Sequence, residues 1–202
     1  MEEKNYTGAV PDNLKGNQVD ATSVKELPSA EMARSFFEKA KVKLLDVNRW
    51  NEVAGEVLAE FQLMDESGSP RSGPASEGLL LRIDIPGPGT KTANGFDWVK
   101  IEELSEVDSG DVQSVALRVR PVQAPDSDED APSHFYSESA TSTFTLSREH
   151  NKVTSAIYDR NLEANKESEN LFDKVRNAIT GVAGKTVFSK VQWQLLADGL
   201  VN

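Results

Sequence analysis

Residues 79 to 104 read LLLRIDIPGPGTKTANGFDWVKIEEL: an apolar strand pattern running into a loop with Gly87, Gly89, Lys91 and two threonines. Glycines beside a lysine are the residue types that cradle a phosphate, so this loop is tested first. A Walker loop places a glycine directly before its lysine and another earlier, so that backbone N–H groups curl around the phosphates at a helix N-terminus. Here Thr90 precedes Lys91, Ile85 stands where the first glycine belongs, and Pro88 has no N–H to donate. The dinucleotide pattern G-x-G-x-x-G fails at Thr92, and the ANGFDWVKI that follows alternates like a strand. A second decoy, ITGVAGKT, ends in Gly184, Lys185 and Thr186 but has Ile179 at the first glycine position and a helical pattern before it. It reads as a turn between two helices with Thr186 as N-cap.

Other chemistries are limited by composition. The 202-residue chain has no cysteine, which removes thiol nucleophiles, disulfides and Cys-ligated metals, and has only 2 histidines, His134 and His150. No G-x-S-x-G or H-E-x-x-H pattern occurs, and the acidic DSDED run at 126 to 130 lacks the glycine and distal glutamate of an EF-hand loop. No metal site and no cofactor is indicated. His134, beside Phe135 and Tyr136, is a candidate general base or cleft-lining group; the competing reading is an exposed loop histidine.

What remains is a strand face. Arg82 and Asp84 alternate with the apolar row Leu79, Leu81, Ile83 and Ile85; Arg118 and Arg120 alternate with Val115, Leu117 and Val119; Tyr158 and Arg160 close the last strand pattern. Covered by a helix, such arginines would make a site for a carboxylate or another anion; open to water, they would be ordinary cross-strand pairs. Trp98, Tyr158 and Trp193 are candidates for the apolar wall of a pocket beside them.

The elements that must position these groups follow from periodicity. Residues 1 to 27 show neither helical nor strand spacing and read as a flexible N-terminal tail. PSAEMARSFFEKAKVKLLDVNRW opens on Ser29 as an N-cap and spaces Ala33, Phe36, Phe37, Ala40, Leu44 and Leu45 as a helix, with Trp50 beyond it. From Glu56 to about Arg160 the period is two, predicting about six strands joined by polar turns too short for helical crossovers, hence an antiparallel sheet. EHN suits the hairpin turn between the last two strands. Two C-terminal helices follow, SENLFDKVRNAI and TVFSKVQWQLLADGL, the second with rows Val187, Val191, Leu195 and Trp193, Leu196, Leu200. The prediction is one α+β domain over 28 to 202.

With 33 acidic against 22 basic residues, the formal net charge is −11 and opposes binding to nucleic acid or anionic membrane. No basic, apolar leader pattern opens the chain, and no apolar run approaches the ~18 residues of a membrane span, so a cytoplasmic location is the default expectation. Oligomeric state is not legible.

The order helix, antiparallel sheet, C-terminal helix over about 28 to 202 resembles the helix-grip ligand-binding domains of the START and polyketide-cyclase kind, which wrap a sheet around the last helix and an internal cavity. It departs from them in lacking an opening strand. An NTF2-like cone is similar in another way, with more helix before the sheet and strands at the end. The resemblance implies a noncatalytic domain that binds a small, partly apolar molecule between sheet and C-terminal helix. Arg82, Arg118 and Arg120 would orient an acidic group on that molecule. Two alternatives stand beside it: an enzyme on the same scaffold, with Asp84 or His134 as general base, and a protein-interaction or assembly module.

Overall fold

The computed structural model describes residues 3–55, 59–85, 95–125, 127, 132, 134, 136–163 and 185–202. In chain order these form β1 (Asn17–Glu26), α1 (Ala30–Leu45), a 3-10 turn (Val47–Arg49), α2 (Trp50–Ala54), β2 (Glu60–Met64), β3 (Leu80–Asp84), β4 (Asp97–Asp108), β5 (Val112–Pro121), β6 (Thr141–Glu149), β7 (Lys152–Leu162) and α3 (Lys185–Leu200). The strands make one 7-stranded sheet in the order β1-β7-β6-β5-β4-β3-β2, antiparallel at every pair.

The fold is thus α+β with an antiparallel sheet, and it differs from expectation at its start. Residues 17–26, taken from sequence as tail, are the strand that pairs with β7, with Asp20 opposite Tyr158 and Ala21 opposite Ile157. Only Val19 and Ala21 of β1 belong to the core, so an edge strand held by backbone pairing leaves little periodicity to read. This supplies the opening strand missing from the helix-grip comparison. Residues before it also lie on the sheet: Ala9 and Val10 are buried, Lys4 N–H donates to Tyr158 Oη (2.9 Å), and Arg160 pairs with Glu3 (2.6 Å) and Asp20 (2.5 Å).

Alternation divides the sheet into two faces. One carries Phe61 and Leu63, Leu81 and Ile83, Val99 and Ile101, Val115, Leu117 and Val119, Phe144 and Leu146, Val153 and Ile157, all in the main core. The helices cover this face. Ser29 caps α1 by accepting from Met32 N–H (3.2 Å), and Ala33, Phe37, Ala40 and Leu44 form its buried stripe. Trp50 closes the core below it, donating from Nε1 to Leu44 O (2.9 Å). α3 packs on β1, β7 and α2. Its close approach to α2 requires glycine at 199, where a Cβ would lie 1.9 Å from Val53 O.

In α3 the inward row is Trp193, Leu196, Ala197 and Leu200, whereas Val191 and Leu195 are exposed. The expected apolar row through Val191 and Leu195 therefore faces outward. The β6–β7 hairpin turns at His150 and Asn151, with His150 at φ 52 and Glu149 opposite Lys152. The first predicted C-terminal helix, Lys91 with its glycines, Val57 and most of the DSDED run lie outside the described residues.

Candidate ligand cavity

Where β5, β6 and β7 lie side by side, the register places Val119 opposite Ser142 and Ser142 opposite Asp159, all in the row facing the helices. α3 lays Trp193 over this row. Asp159 is 1% exposed, and both its oxygens accept hydrogen bonds, Oδ1 from Ser142 Oγ (2.6 Å) and Oδ2 from Trp193 Nε1–H (2.8 Å). Burial pushes its carboxyl up to about 7, against the pull of those two donors and of the Arg160 charge. An acid so placed is about half protonated at neutral pH.

The aromatic rings beside it are stacked in series. Trp193 meets Phe144 edge-on (5.1 Å, 87°) and lies 6.2 Å from Phe61, while Trp50 backs Phe144 at 4.5 Å. Between these rings and Leu81, Ile83, Val99 and Val119 lies a cavity of about 50 Å³ whose polar groups are Asp159, Ser142, His134, Tyr136, Gln192 and Trp193. That volume suits one or two waters or a small head group, so a larger occupant must spread the surrounding side chains.

His134 is 8% exposed and lines this cavity, which corrects its reading as an exposed loop histidine. Its Nδ1 accepts from Tyr136 N–H (2.9 Å), which leaves the proton of the neutral ring on Nε2. Burial holds its conjugate acid down at about 3, so the imidazole is neutral at ordinary pH. Among the described lining residues there is no lysine or arginine.

The sequence-predicted site residues divide between the two faces. His134 and Trp193 meet at the cavity; Arg82, Asp84, Trp98, Arg118, Arg120 and Tyr158 occupy rows of the opposite face. Arg118 and Arg120 share Glu102 (2.5 and 2.7 Å), Arg118 also reaches Glu103 and Ala9 O, and Arg120 donates to Glu138 O. Arg82 lies over the Phe96 ring (4.4 Å), Trp98 packs with Met64, Leu80 and Ala124, and Asp84 is exposed at the end of β3. Tyr158 packs with Val10 and Ala156. The expected arginine wall is therefore no part of a cavity between sheet and α3. The reason is solvation: the helices cover the apolar face, and guanidinium groups stay where water or carboxylates meet them.

An open concavity of about 580 Å³ does lie on that other side, lined by Arg120, Pro121, Val122, Gln123, Pro132, Glu138 and Ser139. Arg120 is already engaged there by Glu102 and Glu138 O, so the smaller cavity is the better candidate. Sequence reasoning missed Asp159, Ser142, Tyr136 and Gln192. Asp159 was readable as the acid continuing the apolar alternation Val153, Ile157, and Gln192 as the residue four before Leu196.

Among the described residues, no helix is long and apolar enough to cross a membrane, and no three ligating side chains group as a metal site. No protein-family model matches the chain, nor does any curated protein. Fold and cavity together define an α+β protein with a helix-covered antiparallel sheet, and solved structures share that outline. A hypothetical protein, jhp0584, from Helicobacter pylori is similar at 13% identity and a TM-score of 0.51, covering 100% of this chain and 93% of that one. Ginseng major latex-like protein 151 from Panax ginseng is more distantly similar (13% identity, TM-score 0.34, 81% of this chain and 96% of that one), as is Ara h 8.0201 (11%, 0.32, 89% and 99%). The first likeness is one of fold alone, and the other two carry no argument.

Proposed function

We propose that this protein is a noncatalytic binding domain that holds a small, largely apolar molecule between the sheet and α3. The observation that carries this reading is the cavity itself: apolar walls from Phe61, Leu81, Val99, Val119 and Phe144 converge on a buried carboxyl and a buried neutral imidazole, where a structural core would be filled. The occupant is neutral. A carboxylate there would add a second acid beside Asp159 with no lysine or arginine among the described lining residues, which reverses the acidic ligand expected from the arginines.

Native mass spectrometry of the protein after equilibration with a cell extract tests the reading, with Trp193 fluorescence as a second readout. A retained small molecule, lost in Trp193→Ala, is expected. Recovery of the bare chain together with unchanged indole emission would exclude the binding reading. A second reading is favoured by Asp159 alone: a buried acid near pH 7 is suited to proton transfer, so an enzyme on this scaffold would use Asp159 in place of Asp84 or His134. Turnover of a retained ligand that Asp159→Asn abolishes would establish it.

A further inference from the structure

Gln192 is 5% exposed and lines the cavity, and its Oε1 has no hydrogen-bond partner. A buried amide oxygen without a donor is costly, and three of the donors near it are engaged elsewhere. Trp193 Nε1–H is committed to Asp159 Oδ2 and Ser142 Oγ–H to Asp159 Oδ1, while Tyr136 N–H is committed to His134 Nδ1. The lining residues thus bring the unpartnered Gln192 oxygen and the Asp159 carboxyl to one cavity beside the neutral His134 ring, and no described lining residue is a lysine or arginine.

We propose that the ligand of this cavity presents a hydroxyl whose hydrogen is donated to Gln192 Oε1, so that the site selects a neutral apolar alcohol over its ether isomer and over the corresponding carboxylate. This rests on the binding reading above and adds the class of ligand to it. The donor satisfies the Gln192 oxygen, while the carbon chain meets the Phe61, Val119 and Phe144 walls. An ether of equal size fills the same space and leaves the oxygen bare. A carboxylate adds a second buried negative group opposite Asp159.

The probes are 1-hexanol, its acceptor-only isomer methyl pentyl ether, and hexanoate. They are titrated into the whole chain while the indole N–H resonances of its 3 tryptophans are followed by NMR. The Trp193 resonance, assigned with Trp193→Phe, is expected to shift, with 1-hexanol binding about tenfold tighter than the ether and hexanoate weakest. Gln192→Met, with Gln192→Leu as a second variant, should reduce the alcohol-to-ether ratio to about one to twofold while leaving ether binding intact. Equal or tighter binding of the ether by the wild-type chain overturns the proposal, the second outcome meaning that the amide presents its NH₂ instead. Retention of the alcohol preference in Gln192→Met also overturns it. In all these cases the probes still bind and the cavity reading stands. If no probe moves the Trp193 resonance, the cavity reading itself fails and the proposal with it.

Discussion

Asp159→Asn should stabilise the protein at alkaline pH and have little effect in acid. In the folded chain the Asp159 carboxyl titrates at about 7, against 3.8 for the ordinary group, because burial disfavours its charge. The native state therefore holds a proton that the unfolded chain has released throughout that interval. Unfolding free energy consequently falls as pH rises from about 4 to about 7, by about 1.4 kcal/mol per unit, and levels off above. The interval spans about three units, so ionisation costs the native state about 4 kcal/mol by pH 8. Asparagine cannot ionise and can retain both contacts, with Oδ1 accepting from Trp193 Nε1–H and Nδ2 donating to Ser142 Oγ. Urea unfolding of both proteins at half-unit steps from pH 4 to 8 gives the difference curve, in which independent titrations of His134 and Asp97 cancel. It should start near zero and climb by about 3 to 4 kcal/mol, with its upper bend near pH 7. A flat difference across this range would refute the reasoning, since Asp159 would then titrate alike in the folded and unfolded chain.

His134 carries the opposite dependence: held near 3 against 6.5, it weakens the fold as pH falls through that window, by about 1.4 kcal/mol per unit. His134→Gln should therefore flatten the acid limb, measured by urea midpoints from pH 3.5 to 7. Trp193→Phe keeps a ring against Phe144 but removes the donor that lowers the Asp159 carboxyl, so the bend of the Asp159 difference curve should move to higher pH when both proteins carry Trp193→Phe as background. Arg148, 1% exposed, ties the β4–β5 turn to the β6–β7 turn through Gly110 O (2.5 Å), His150 O (3.0 Å) and Gln113 Oε1 (2.7 Å). Arg148→Leu should cost about 3 kcal/mol in urea unfolding, and Arg148→Lys should recover less than half, because an ammonium cannot span three acceptors. Gly199→Ala drives a methyl into Val53 O and should lower thermal stability by an amount equivalent to about 2 kcal/mol or more, whereas Ala at exposed Val191 should be close to neutral.

Local pattern by itself determined most of the elements. Alternation in LLRID and SVALRV gave strands with their apolar sides already assigned, Ser29 marked the start of α1, and Trp193, Leu196 and Leu200 defined one face of α3. These features were legible because they depend on neighbours within one or two turns or pleats. β1 was hidden because its strand character comes from the β7 backbone and not from its own side chains. Only the tertiary structure decided which face of the sheet receives α3. That choice buries Asp159, Gln192 and His134 and leaves Arg82, Arg118 and Arg120 on the opposite side. A pKa near 7 for one acid and near 3 for one histidine follows from desolvation, which is set by groups far away in sequence.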